Sequence, residues 1–296
     1  MAAIELEKAG DTQIFVLAED YAGYGGSCYA QHGISFLIRI KETEDKSWDI
    51  LFDTGTDATP IFHNAEILEV GLEDVETVVL SHCHYDHTGG LIEILKKIDN
   101  DRLPVVAHPQ LFRANLSADP HLRHAGVRGD LKREVEELGA MWILTRDPLK
   151  FSKGVVTTGE IALEDRVEYE KSKRSKFYTV DDGKLVEDNM LDDTSLMINT
   201  QKGLVVVTGC SHAGIVSIVK KCKEISGFDR VKAVIGGFHL INADRDRISK
   251  VAAGLKDLNV EKVYTGHCTG LTAEGMLQED FGENFDKLQC GKIIEF

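Results

Sequence analysis

Four side chains of metal-ligand type fall within six residues in Ser81-His82-Cys83-His84-Tyr85-Asp86-His87-Thr88-Gly89-Gly90. In extended backbone, side chains two positions apart point the same way, so His82 and His84 can bind one ion. As the chain turns toward a helix, the adjacent Asp86 and His87 can reach a second ion nearby. Neutral imidazole with a carboxylate suits zinc, iron or manganese. Divalent ions so placed acidify a bound water or neutralise an anionic leaving group.

Two ions need more ligands than one segment provides. A second apolar run, Leu204-Val-Val-Val-Thr-Gly-Cys210-Ser-His212, ends in ligand-type residues. The Cys210 thiolate is a good zinc ligand, and His212 joins it if the backbone stays extended. Ile235-Gly-Gly-Phe-His239 puts another histidine after a buried run. His239 is read three ways: ligand, acid/base toward substrate, or packed structural histidine. Asp86 and His239 are the candidate catalytic groups.

The elements that must position these groups are short apolar runs alternating with helical patterns. Strands are expected at Ile34–Ile40, Asp49–Phe52, Thr77–Leu80, Val105–Ala107, Leu196–Thr200, Leu204–Thr208, Val231–Ile235 and Lys262–Thr265. Leu91, Ile94, Leu95 and Ile98 have the i, i+3, i+4, i+7 spacing of an amphipathic helix, as do Ile248, Val251, Ala252 and Leu255. Ile215, Ile218, Val219 and Cys222 repeat it. The histidine cluster thus follows a strand at its C-terminal end, where α/β folds place their chemistry. Residues 118–133 and 147–193 break the alternation and read as loops or insertions over one end of a single α/β domain spanning 1–296.

The segment H-x-H-x-D-H after an apolar strand resembles the metal motif of the metallo-β-lactamase superfamily. That resemblance implies a four-layered αβ/βα sandwich, α/β in class, with two divalent transition-metal ions, zinc before manganese or iron, at one edge. It implies that Asp53, in Asp53-Thr54-Gly55, orients ligands by hydrogen bonds. It also implies that His267, in Gly-His267-Cys268, completes the second ion's shell. Where the superfamily presents a bridging carboxylate, this chain has Cys210. The superfamily's histidine before that strand is missing, since no histidine lies between His124 and His212. Either His212 takes its place, or Asp192 or Asp193 does, or one ion is held weakly. His108 reads as an ordinary strand end, and His121 and His124 as part of the first insertion.

Cys28-Tyr-Ala-Gln-His32-Gly33, Thr-Gly-Cys210-Ser-His212-Ala-Gly, Gly-Gly-Phe-His239-Leu and Gly-His267-Cys-Thr-Gly occur in that order. Together they resemble the branch of 7,8-dihydropterin-6-methyl-4-(β-D-ribofuranosyl)aminobenzene-5′-phosphate synthase-like proteins, from about Ile14 to the C-terminus. The resemblance implies a transferase in which an arylamine displaces diphosphate from a dihydropterin. A dinuclear hydrolase of a phosphoester, ester or lactone would use the same ligands. A metal- or ligand-binding protein without turnover is a third reading, opposed by the carboxylate in the cluster. For an anionic small-molecule substrate, Lys173, Arg174, Lys176 and Tyr178 form a basic and aromatic cluster.

Composition narrows the field further. With 34 Lys plus Arg against 49 Asp plus Glu, the formal charge of −15 argues against nucleic-acid or anionic-membrane partners. Charges near the N-terminus interrupt any signal-like apolar run, and no stretch is long enough to span a membrane. Six scattered cysteines in 296 residues favour reduced thiols and a cytoplasmic location.

Overall fold

The computed structural model describes residues 4–43, 46–118, 120–167 and 177–296. Two seven-stranded sheets carry the fold. The first runs, edge to edge, Ile293–Glu295, Asp11–Ala18, Ser35–Lys41, Ser47–Phe52, Val75–Val79, Pro104–Ala107 and Met141–Leu144. The second runs Phe285–Lys287, Val260–Gly266, Val231–Gly237, Gly203–Val207, Leu196–Thr200, Val155–Thr157 and Lys150–Ser152. A smaller sheet has the order Lys184–Glu187, Phe177–Asp181, Leu116–Ser117 and Arg123–His124.

Side-chain alternation sorts the apolar residues into three cores. Phe36, Ile38, Ile50 and Phe52 point between the sheets, where they meet Leu196, Ile198, Val205, Val207 and Ile235. Their neighbours Leu37 and Leu51 point outward onto the helices Ala58–Ile67 and Leu91–Ile98. Helices Ile215–Ser226, Arg245–Asp257 and Leu271–Phe281 cover the second sheet in the same way. The result is four layers, helix–sheet–sheet–helix, as the motif implied. Strands buried on both faces are apolar at nearly every position, which is why they stand out in the sequence. Each fully buried Leu, Ile or Phe contributes about 1.5–3 kcal/mol, so these cores fix the strand ends that follow.

The topology gathers those ends at one edge. Ser47–Phe52, Val75–Val79 and Pro104–Ala107 are parallel neighbours, as are Gly203–Val207, Val231–Gly237 and Val260–Gly266. Asp11–Ala18 is antiparallel to Ser35–Lys41, itself antiparallel to Ser47–Phe52, so Glu19 and Asp20 emerge at the same edge.

All eight expected strands form, Leu196–Thr200 with the expected bounds and the other seven with one or both ends shifted. The segment 147–193 differs from its reading as loop. Val155–Thr157 is a fully buried strand paired with Leu196–Thr200, and Phe177–Asp181 pairs with Leu116–Ser117. A three-residue strand is too short to show the alternation by which strands are recognised. Lys173, Arg174 and Lys176 lie outside the described residues. No helix among the described residues is long and apolar enough to cross a membrane, and all six cysteines are free thiols.

Candidate metal centre

Two buried groups of ligand-type side chains lie side by side at the sheet edge. Asp86, His87, Cys210 and His267 form one, and His82, His84 and His212 the other; within each, the ligand atoms lie within 4.8 Å of one another.

The first of these groups has the dimensions of a tetrahedral cage. His87 Nε2 is 3.2 Å from Cys210 Sγ and 3.6 Å from Asp86 Oδ2. His267 Nε2 is 3.3 Å from Cys210 Sγ and 3.4 Å from Asp86 Oδ2. A tetrahedron with metal–ligand bonds of 2.0–2.3 Å has edges of about 3.3–3.8 Å. The four measured edges fall on or just below that range. Burial opposes the charge on Asp86, but His87, His267 and His84 around it outweigh burial and hold its carboxyl well below the usual range. Burial pushes the Cys210 thiol up, so only a cation beside it would draw out the thiolate.

The three-histidine group is also built for a cation. Its ring centroids are 4.6, 4.7 and 4.8 Å apart, and His82 Nε2 is 3.0 Å from His84 Nδ1. His84 Nε2 and His212 Nε2 are buried without a hydrogen-bond partner among the described residues. Burial holds all three rings below their ordinary pKa, His84 at about 4, and adjacent histidines push His82 and His212 the same way. Neutral imidazoles are the form that binds a metal.

Asp53 sets which nitrogen each ring presents. It is fully buried and takes a left-handed backbone, φ 59°, at the end of Ser47–Phe52. Its Oδ1 accepts from Ser81 N at 2.7 Å; its Oδ2 accepts from Ser81 Oγ at 2.6 Å and from His87 Nδ1 at 2.7 Å. Ser81 Oγ, having donated to Asp53, accepts from His82 Nδ1 at 2.8 Å. One carboxylate therefore keeps protons on Nδ1 of His82 and His87 and leaves both Nε2 lone pairs for ions. The same service for His267 comes from Asp20, whose Oδ2 is 2.5 Å from His267 Nδ1 and whose Oδ1 is 2.8 Å from His32 Nδ1.

Backbone conformation explains how the strand ends part. Ser211, His239 and His267 have φ of 58°, 48° and 48°, unusual for residues other than glycine. The left-handed Ser211 breaks the extended run, so Cys210 and His212 diverge to different groups instead of joining one ion. His212 thus lies with His82 and His84. Asp192 and Asp193 do not: Asp192 Oδ2 accepts from Cys83 N at 2.8 Å, and Asp193 Oδ2 accepts from Ala213 N at 2.6 Å. Asp192 Oδ1 lies 2.8 Å from Arg113 Nη2, an ion pair without hydrogen-bond alignment. Two glycines permit the close packing. A Cβ on Gly89 would meet Thr56 O at 2.2 Å, and one on Gly33 would meet Asp86 O at 2.1 Å.

A cavity of about 270 Å³ opens onto these groups, lined by His84, Asp86, Cys210, His239 and His267 from the ligand side. The His239 ring is tilted against that of His212, with centroids 4.2 Å apart, and lies with Cys210 and Cys268 in a third cluster. Tyr85, Arg123 and Phe177 also line the cavity. Phe177, 4.5 Å from the His84 ring, supplies the aromatic face; Tyr178 is not among the lining residues, as alternation along a strand dictates. His108 follows its strand and pairs with Glu160 at 2.9 Å, away from the ions' places. Asp20, Ser81 and Arg123 had no sequence signal beyond their position at strand ends or in loops, whereas Asp192, a candidate ligand in the sequence, holds the Cys83 N–H instead.

Comparison with known proteins bears on family and fold. The pattern of the Metallo-beta-lactamase superfamily matches residues 35–146. The chain is 46% identical to the 7,8-dihydropterin-6-methyl-4-(beta-D-ribofuranosyl)-aminobenzene-5'-phosphate synthase of Methanocaldococcus jannaschii over 294 residues, 99% of each chain. Among solved structures it is similar to Tm1679, a metal-dependent hydrolase of the beta-lactamase superfamily. That match has a TM-score of 0.77 and 28% identity over 96% of this chain and 99% of the other. Zn(2+)-bound PqqB from Methylobacterium extorquens shares the fold at a TM-score of 0.54 and 11% identity, over 96% and 100% of the two chains.

Proposed function

The chain belongs to the metallo-β-lactamase superfamily and is a metal-dependent enzyme, and from that premise we propose that it joins an arylamine to a dihydropterin with release of diphosphate. The observation that carries this reading is the pair of ligand groups opening on a single cavity, in a chain alike over its whole length to a pterin-related synthase. We assign one ion to His82, His84 and His212 and one to Asp86, His87, Cys210 and His267. The thiolate and imidazole donors favour zinc for both. Bound there, the two ions would supply positive charge against the leaving diphosphate. The three-histidine group would supply an ion with three protein donors and the other group would supply four.

In this reaction a C–N bond forms as the arylamine nitrogen attacks the pterin methylene. The C–O bond breaks, diphosphate departs with the electron pair, and the nitrogen loses a proton. His239 lines the cavity outside both ligand groups, and we assign it that proton. Phe177 and Tyr85 offer faces on which flat rings stack. The free thiols fit a reducing compartment, so we place the enzyme in the cytoplasm.

The test is turnover of a dihydropterin methyl diphosphate with a phosphorylated arylamine, under defined zinc and with a chelator control. Diphosphate release stoichiometric with C–N bond formation, abolished by the chelator, supports the assignment. Metal-dependent hydrolysis of phosphodiesters or lactones without condensation would replace it by the hydrolase reading, which the likeness to Tm1679 favours.

A further inference from the structure

Among the described residues, Arg123 is the one permanently cationic side chain on the cavity wall. It sits on the strand Arg123–His124, in register opposite the buried Ser117, so the small sheet holds its backbone in place while the side chain is exposed. Arginines on neighbouring stretches of the chain have carboxylate partners. Arg113 meets Asp188 at 2.6 Å and Asp192 at 2.8 Å, Arg128 meets Glu134 at 2.6 Å, and Arg146 meets Glu160 at 3.3 Å. Among the described residues Arg123 meets no carboxylate; its guanidinium carbon stands 6.0 Å from the centroid of the Tyr85 ring.

That isolation matters in a chain of net charge −15 whose cavity also contains Asp20 and Asp86. The general field repels anions, so a local cation would select them. Aromatic surface from Phe177, packed on His84, and from Tyr85 shares the wall with Arg123. The cavity lining thus combines metal-ligand groups with aromatic faces and a guanidinium.

We propose that Arg123 is the specificity-determining contact for a phosphomonoester that the substrate carries away from its reacting bond. A guanidinium presents parallel N–H donors that match two phosphate oxygens, which a lysine would meet only as a point charge. The inference rests on the proposed reaction, in which the diphosphate goes to the ions and leaves the other anionic end to be recognised separately.

The experiment is calorimetric titration of the zinc-loaded protein with phenyl phosphate, with inorganic diphosphate present at saturation to occupy the ions. Phenol serves as the uncharged control. The exposed, charge-assisted contact predicts about fivefold to tenfold weaker phenyl phosphate binding in Arg123→Met, with an intermediate value in Arg123→Lys. Metal content and phenol binding stay unchanged, and the difference between variants shrinks as salt is raised. Equal phenyl phosphate binding by Arg123→Met and the unaltered protein would overturn the proposal, as would no binding by the unaltered protein. Failure of the proposed reaction would show separately, as absent condensation in a protein that still binds phenyl phosphate through Arg123.

Discussion

Replacing Asp53 by Asn changes one oxygen to an NH₂ group and tests how the ions' ligands are oriented. The carboxylate accepts three hydrogen bonds, from Ser81 N, Ser81 Oγ and His87 Nδ1. An amide has one acceptor oxygen, so whichever way it turns, a donor faces a donor. Turned one way, its NH₂ confronts both Ser81 Oγ and His87 Nδ1; turned the other, it confronts the fixed Ser81 N–H. The backbone Ser81 N–H can only donate and keeps the amide oxygen, so the NH₂ faces Ser81 Oγ and His87 Nδ1, and the metal-binding tautomer of His87 loses its hydrogen bond to a charged acceptor, about 1.5–3 kcal/mol. At about 1.4 kcal/mol per factor of ten, that is roughly a 10- to 150-fold loss. It falls on metal affinity, because the lost bonds are those that keep Nε2 of His82 and His87 free to coordinate. Zinc titration against a competing chelator, followed by elemental analysis after dialysis, would measure it. An Asp53→Asn protein that keeps both ions at unaltered affinity would refute the tautomer argument.

Cobalt substituted for zinc should show a thiolate-to-metal charge-transfer band that disappears in Cys210→Ser while the three-histidine ion is retained; absorption spectroscopy with metal analysis checks both. Arg113→Met leaves the buried Asp192 without its ion-pair partner and should lower unfolding free energy by about 3–5 kcal/mol in urea titrations. Asp193 is fully buried, and burial, with Asp192 adding to it, raises its carboxyl to about 7 against the opposing Ala213 N–H and Arg166. The folded protein therefore binds more protons than the unfolded chain between pH 3.8 and about 7, and stability falls as pH rises through that window. Asp193→Asn can keep the bond from Ala213 N while removing the charge, so it should flatten that slope and stabilise the protein above pH 7, by at most about 4 kcal/mol. Metal-free urea unfolding at pH 5 and pH 8 reads the difference.

The fold and half of the site were legible in the amino-acid order because both depend on local pattern. Ile50-Leu51-Phe52 and Leu204–Val207 are apolar on both faces, since sheet packs on one side and helix on the other. The histidine cluster declares itself by spacing alone. What lay hidden depends on contacts between segments far apart in sequence. Asp20 reaches His267 across 247 positions, and Asp192 reaches the backbone of Cys83 across 109. The parting of Cys210 from His212 turns on one left-handed residue, Ser211, whose type does not predict φ 58°. Short strands such as Val155–Thr157 escape because three residues carry no period. The basic cluster expected to meet the substrate lies outside the described residues, whereas Arg123, in a segment read as an insertion, faces the cavity.

Anomalous scattering at the zinc edge, from crystals of the protein loaded with zinc, measures the central claim directly. The account predicts two peaks per chain, one within bonding distance of His82, His84 and His212, the other of Asp86, His87, Cys210 and His267. A chain with neither peak, or with zinc bound only elsewhere, would contradict it.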